Sequence, residues 1–325
     1  MKRIVVILTT LLLTCAMYGQ GQGSFCGAVG TPGCTAIKYD SAAIIGWATG
    51  CTVERGPVDI IDPDGPRVHF GDEGFGVGPA TTATTSAVSL GDGGTATLTF
   101  AEPIRNVAGP DFAVFENSFD DNFLELAFVE VSTDGERYVR FPSTSLTPTT
   151  TQVVSNVNPT NLNNLAGKYR VGYGTPFDLE ELKDSAGIDI NNIVYVRLVD
   201  VVGTIDPQYA TYDAYGHMVN DPYPTNDTIW ASGGFDLTGV AVLQASAGIA
   251  GIASAVRVMA WPNPTTGWIT VIGVAGHEAE LCDLRGRRLG SWRLTGERTR
   301  IDLTDLPAGV YLLRVEGKVT KVVKH

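Results

Sequence analysis

The sequence lacks every short signature that would fix a chemistry in advance. It has no Gly-x-Ser-x-Gly elbow, no His-Glu-x-x-His zinc pair and no Gly-Lys-Ser/Thr phosphate loop. Its four histidines, His69, His217, His277 and His325, show no metal-ligand spacing. The stretch "GFGVGP" is rich in glycine but opens no helix, so it is not a phosphate cradle. None of the five cysteines forms a Cys-x-x-Cys pair, which argues against a zinc site. Beyond the N-terminal segment no apolar run is long enough to cross a bilayer as a helix. Strand-like runs do not alternate with long helical patterns, which excludes a βαβ reading.

What is present begins with an export signal. Lys2 and Arg3 precede an apolar run from Ile4 to Met17, followed by small and polar residues from Gly19 to Gly23. This is the three-part pattern of a signal peptide, expected over residues 1–19. Cys15 raises the alternative of lipidation, but Leu13 and Thr14 are poor residues ahead of a lipidated cysteine, so cleavage near Gly19 is expected. Cys26, Cys34, Cys51 and Cys282 then remain. An exported protein keeps disulfides, and a bridge from Cys34 to either Cys26 or Cys51 is expected. Cys282 lies in an apolar strand pattern and reads as a small buried residue.

Charge divides the chain. From Gln20 to Ala255 there are 28 acidic and 10 basic residues, and from Val256 to His325 there are 7 acidic and 11 basic. A strongly acidic exported domain is a poor partner for nucleic acid or anionic membrane and suits divalent cations. The small-residue run "QASAGIAGIASAVR" separates the parts and reads as a linker over 247–257. The expected domains are therefore an acidic one over 20–246 and a C-terminal one over 258–325.

In the acidic part, short apolar or alternating runs are bounded by Gly, Pro, Asn and Asp. "SAVSLGDGGTATLTF" reads as a hairpin about Gly91–Gly94, and "LELAFVEVS" turns at Asp134–Gly135 into "RYVRF". "FAVFE" is a strand, "NNIVYVRLVDVV" a central strand and "GFDLTGVAVL" the closing one. One helix is expected in "TPFDLEELKDSAG", capped by Thr175, with Pro176 at its first position and Gly187 at its end. Long loops run over 147–164 and 203–228. The expected fold class is all-β: a large jelly-roll-like β-sandwich with long loops and one short helix, followed by a small Ig-like β-sandwich.

Three groups of residues can carry function. Glu116, Glu125 and Glu130 have the chemistry of a glycosidase acid and base. Strand alternation, however, turns Glu125 and Glu130 to opposite faces, so no catalytic residue is assigned. A calcium site fits better, because hard oxygen ligands on loops are what calcium takes. Its candidate ligands are Glu116, Asn117, Asp120, Asp121, Asp213, Asp221 and Asp236. In "DPQYATYDAYGHMVNDPYPTNDTIW", aromatic residues alternate with Asp and Asn, as in surfaces that stack on sugars or hold peptides. Tyr209, Tyr212, Tyr215, His217, Tyr223 and Trp230 are the candidate ligand-binding residues.

Two resemblances add to this reading. "WPNPTTGWITV" (261–271), "LCDLRGRRL" (281–289), "IDLTDLPAGVYLLRV" (301–315) and the basic end "KVTKVVKH" resemble, in order and spacing, the C-terminal sorting domain of proteins exported by the type IX secretion system of Bacteroidota. The resemblance implies an export address, handled by the type IX machinery and commonly removed at the outer membrane. It makes Trp261, Pro262, Asn263 and Pro264 the opening turn, and Gly309 the residue that permits the turn before the last hairpin. Trp261 stands where that family more often has Tyr. The acidic domain, through "GWATGCTVERG", "DFAVFENSF", "NLAGKYRVGYGTPFDL" and "DPYPTNDTIWASGGFDLTGVAVL", resembles an uncharacterised family of exported Bacteroidota surface proteins, which implies no activity.

The expected protein is secreted, or held at the outer-membrane surface, after passing through the periplasm. It is expected to bind or adhere rather than catalyse, with calcium as a stabilising ion and a glycan or surface protein as ligand. A secreted hydrolase acting on polysaccharide and a purely structural surface component are the alternatives.

Overall fold

The computed structural model describes residues 23–225, 231–244, 260–272, 276–295, 298–315 and 318–325. The expected signal peptide, the 247–257 linker and Trp230 lie outside the described residues.

The acidic part is a sandwich of antiparallel strands. In chain order these are β1 (Ile37–Lys38), β2 (Ile44–Trp47), β3 (Gly50–Glu54), β4 (Val88–Ser89), β5 (Thr95–Ile104), β6 (Phe112–Glu116), β7 (Ala127–Ser132), β8 (Val139–Arg140), β9 (Thr144–Ser145), β10 (Leu162–Asn163), β11 (Tyr173–Phe177), β12 (Ile193–Asp200) and β13 (Asp236–Leu243). One sheet has the order β1-β11-β6-β13-β2, with β4 added to β13, and the other has the order β3-β5-β12-β7-β8. β9 and β10 pair separately.

The main core lies between the two sheets, where Val88, Phe112, Val114 and Leu237 meet Leu98, Val129, Val131, Val196 and Leu198. Strand β6 reads as a continuous apolar run because both its faces are covered. Phe112 and Val114 enter the main core, while Ala113 and Phe115 pack outward with Ile44, Trp47, Ala241 and Leu243. Phe112 stacks on Phe177 at 5.3 Å, and both meet Phe141 edge-on. A third cluster, with Leu124, Leu126, Val153, Val157, Val201 and Val219, ties the two long loops to the second sheet. Those loops are thus packed and not loose excursions.

Local expectations held where one sheet contained the whole signal. β12 is central, between β5 and β7, and β7 turns into β8 across residues 133–138. Two local readings are corrected. The strands flanking Gly91–Gly94 do not pair with each other: β4 joins β13 and β5 joins β3 and β12. The positive φ of Gly91 and Gly93 lets the chain turn from one sheet to the other. The expected helix is one 3-10 turn, Leu179–Leu182, capped by Asp178, whose side chain accepts from Glu180 N. Thr175 and Pro176 belong to β11, paired with Val114 and Ala113, because the sheet claims that backbone first.

The C-terminal part is a smaller sandwich of β14 (Ala260–Trp261), β15 (Trp268–Ile272), β16 (Glu278–Cys282), β17 (Arg288–Arg293), β18 (Arg298–Asp302), β19 (Gly309–Val315) and β20 (Lys318–Lys324). Its sheets run β14-β15-β18 and β17-β16-β19-β20. Ile269, Val271, Leu281, Ile301, Leu313 and Val322 fill the space between them. Cys282 is buried in this sandwich, as its strand pattern implied.

Candidate functional site

Nine carboxylates are buried among the described residues of the acidic sandwich; Asp111, which accepts from Val107 N and Leu179 N, stands apart with Glu130 and Asp213, and the other six make up one group. Alternation along β6 makes Glu116 continue the inward face of Phe112 and Val114, and it is 1% exposed. Its Oε2 accepts from Ser118 N at 2.6 Å, while its Oε1 is buried without a hydrogen-bond partner among the described residues. Asp236 opens β13 and accepts from the Ser89 hydroxyl and from Asn117 Nδ2. Asp200, at the end of β12, accepts from Gly93 N and Phe235 N, and Asp221 accepts from Leu126 N. Asp92 accepts from Ile60 N. Glu125 completes the group just ahead of β7.

Burial pushes all six carboxyls upward; mutual repulsion adds to it in Glu116, Glu125, Asp200 and Asp221, and Asp59 adds to it in Asp92. Asp92 and Asp236 rise to about 6, while Glu116, Glu125, Asp200 and Asp221 rise well above the usual carboxylate range. Glu125 feels Asp236, Glu116, Asp221 and Asp200. Arg55 lowers Asp236, but its guanidinium is held by the carbonyls of Phe70, Gly71 and Ser89. The arrangement demands protons or a cation at neutral pH. Among the described residues no three His, Cys, Asp or Glu side chains form a ready metal-binding set.

The seven candidate calcium ligands therefore divide. Glu116, Asn117, Asp221 and Asp236 belong to this buried region. Asp120 lies outside it in an exposed turn, where its Oδ1 accepts from Asn122 N and Phe123 N, and those bonds lower its pKa. Asp121 is paired with Arg170 at 2.5 Å. Asp213 serves another loop. Asp200 and Asp92 were missed and Glu125 was weighed only for acid-base chemistry, although a lone acid inside the apolar run "VRLVDVV" was a usable signal for Asp200. Glu130 does face away from this group: it is held between Arg140 and Arg197 at 2.8 and 2.6 Å.

The aromatic stretch divides in the same way. Tyr212, Tyr215 and His217 stand on an exposed tip, where Tyr212 bridges to Met218 and the rings of Tyr215 and His217 are 6.4 Å apart. Buried Asp213 braces that tip from below. Its carboxylate accepts from Tyr215 N, His217 N and Ser145 N, and also meets His217 Nδ1 at 2.9 Å. Burial raises the Asp213 pKa, yet those bonds outweigh it and the net shift is downward. Tyr223 is instead buried, with its hydroxyl donating to Asp59 Oδ1, and Tyr209 is half-buried beside Gln208.

In the C-terminal sandwich, Asn263 clamps the last strand. Its Nδ2 donates to Lys321 O and its Oδ1 accepts from Val323 N, while Thr265 N donates to Val323 O. The segment from Trp261 to Pro264 thus turns the chain out of β14 and locks onto β20. Gly309 does not have the assigned role: it is the first residue of β19, paired with Lys324, and its φ is not positive. The hairpin turn at 316–317 lies outside the described residues.

Residues 259–325 match the family model described as "Secretion system C-terminal sorting domain". The tail is a sorting domain. It marks the chain for the cell surface or for secretion, and none of the described helices is long and apolar enough to cross a membrane. The match is confined to the tail and leaves the cargo, the acidic sandwich, to be read from its own geometry. No curated protein matches the chain. A solved structure titled "Biofilm associated protein - BSP domain" is similar at 11% identity, covering 87% of this chain and 52% of its own, with a TM-score of 0.18. The chain thus spans about half the length of that structure's chain, and at that TM-score the likeness carries no argument.

Proposed function

We propose that the cargo is a non-enzymatic binding or adhesion protein, delivered by type IX secretion, that holds a glycan or surface protein at the tip formed by Tyr212, Tyr215 and His217. The observation that carries this reading is the combination of exposed rings with a fixed backbone. Tyr212 and Tyr215 are 45% and 67% exposed, yet the loop beneath them is tied by Asp213 at four points. Aromatic rings held rigid in water lose little entropy on binding, which suits stacking on a sugar or peptide face. The mature chain should give a glycan-array or surface-protein pull-down signal that falls about tenfold or more in Tyr215→Ala, a loss typical of a binding hot spot. Release of reducing ends from polysaccharide, abolished by Glu116→Gln, would replace this reading with a hydrolase.

A second reading concerns calcium. The unpartnered buried oxygen of Glu116, within a group of six carboxylates, supports a divalent cation that stabilises the cargo, with Glu116 and Glu125 as the first ligands to test. Chelator should lower the melting temperature of the mature chain, and added calcium should restore it. An unchanged melting temperature, with a metal-free mass in native spectrometry, would remove the ion and leave protons as the neutralising agent.

A further inference from the structure

The N-terminal end of the cargo holds a second cluster that the binding reading does not use. Gly23 N donates to Thr160 Oγ1 at 2.8 Å and Phe25 N to Thr160 O at 3.1 Å, which lays this end along the loop ahead of β10. Cys26 follows. Its Sγ is 3.2 Å from Lys168 Nζ, 3.2 Å from the Tyr169 hydroxyl and 3.5 Å from the Thr35 hydroxyl. Lys168 is only 4% exposed; its ammonium also donates to Leu162 O at 2.8 Å and lies over the rings of Phe25 and Tyr169 at 6.0 and 5.8 Å. Burial lowers the Lys168 pKa, and the Cys26 thiolate in reach opposes that shift as the anionic partner of the ammonium.

Cys34 shares this surrounding. Two consecutive turns, Thr31 N to Ala28 O and Cys34 N to Thr31 O, fold residues 28–34 back, so that the Thr35 side chain touches Cys26 Sγ. Both thiols lie within electrostatic reach of Lys168 and Tyr169, and in this structure Cys26, Cys34, Cys51 and Cys282 are all free thiols, so the expected bridge is not formed here. Cys51 is elsewhere: it lies in β3 opposite Leu98, close to Gly76, and its electrostatic partners are Glu73, Arg55 and Asp72. Burial would raise the Cys26 thiol, but hydrogen bonds from Thr35 and Tyr169 and the charge of Lys168 bring it down to about 7. Burial, with Glu73, pushes Cys51 up to about 12. Only one of these two thiols has the surroundings of a nucleophile.

We propose that Cys26 and Cys34 are a redox pair that closes to a disulfide during export, with Lys168 holding Cys26 as the attacking thiolate. The oxidant is a disulfide of the export compartment. Cys26 sulfur attacks one sulfur of that disulfide, forming a mixed disulfide and expelling the other sulfur as thiolate. Cys34 gives up its proton and attacks the Cys26 sulfur, which releases the second donor sulfur. Two protein thiols are oxidised and one donor disulfide is reduced to two thiols, so atoms and electrons balance. The bridge closes the 26–34 segment and pins the start of the cargo over Lys168.

The test uses the full chain, purified under reduction and exposed to glutathione disulfide at pH 7. After alkylation and digestion, the expected product joins the Cys26 and Cys34 peptides, two hydrogens lighter than their sum, with Cys51 and Cys282 alkylated only after unfolding. In Cys34→Ser the alkylation rate of Cys26 should titrate with a midpoint near 7, and Lys168→Met should slow closure about tenfold at pH 7. A link from Cys26 or Cys34 to any other cysteine overturns the proposal. So do free thiols at both positions after oxidation, a midpoint near 9 in Cys34→Ser, or a Cys26–Lys168 product heavier by one oxygen less two hydrogens. The Cys34→Ser titration keeps the lysine intact, so it decides the matter even if Lys168→Met does not fold.

Discussion

In the cargo sandwich Asp92, Glu116, Glu125, Asp200, Asp221 and Asp236 are all buried, whereas the described residues of the sorting tail bury only Thr265 and Lys324 among their polar side chains. The acids among the tail's described residues are exposed or half-buried. Hydrogen bonds lower the pKa of half-buried Asp283, after β16, and of exposed Asp302, at the end of β18, and Glu280 pairs with Arg288 on the surface. The six buried cargo acids shift upward and these two tail acids shift downward, so the two groups act on stability with opposite sign as pH changes. An address domain needs only to fold and be read, and a clean apolar core does that. A cargo that stores repelling carboxylates has a stability that depends on what neutralises them.

The largest expected effect comes from breaking one core and leaving the other. Phe112→Ala removes the ring stacked on Phe177 and should cost the cargo about 3–5 kcal/mol. Calorimetry of the chain with cargo and tail still joined should show the cargo transition falling while the tail transition stays in place. One transition moving as a unit would show that the two cores are coupled.

Next in size is pH. Asp92, Asp111 and Asp236, raised to about 6, hold their protons more tightly folded than unfolded. The stability they contribute is complete below the unfolded carboxylate value of about 4 and is lost as pH rises through about 6. Acidifying from pH 7 to 5 without metal should therefore raise the cargo melting transition by on the order of 1 kcal/mol or more, and should not raise that of the tail. Calcium, if it binds, favours the ionised carboxylates and should flatten this slope. A cargo that melts lower at pH 5 than at pH 7 in the absence of metal would contradict the buried-acid account.

A smaller effect separates the tip from its brace. Asp213→Ala leaves three backbone N–H groups without their acceptor and should cost roughly 1–3 kcal/mol, along with ligand binding. Tyr215→Ala, at an exposed ring, should lose binding at nearly unchanged stability. The smallest effect is expected on the tail surface. Glu280→Ala removes an exposed pair with Arg288 and should cost less than about 1 kcal/mol, checked by denaturant melts in low and high salt.

Phe112–Glu116 was readable as a strand because an apolar run between turn residues has few other solutions. That Asn263 would lock the tail's last strand was not, since its two partners are almost 60 residues further along the chain. Gly91–Gly94 signalled a turn correctly, yet the identity of the strands on either side depended on Asp236 and Tyr195 pairing from far along the chain. Among the described residues of the aromatic run, Tyr212 and Tyr215 stayed outside. Tyr223 was drawn inward by Asp59, 164 residues away.

By itself the sequence determined the export address, the division into an acidic and a basic sandwich, and the all-β class, because these rest on local order, composition and alternation. Alternation also separated Glu125 from Glu130. Only the tertiary structure decided which acids share an interior. Glu116 inherits its burial from the face of Phe112 and Val114, and its unpartnered oxygen matters because Glu125, Asp200, Asp221 and Asp236 converge from four other stretches of chain. Repulsion between charges depends on distance in space, which sequence separation does not report. The thiols follow the same rule: spacing left Cys34 with two possible partners, and a lysine more than 130 residues away set Cys26 apart from Cys51.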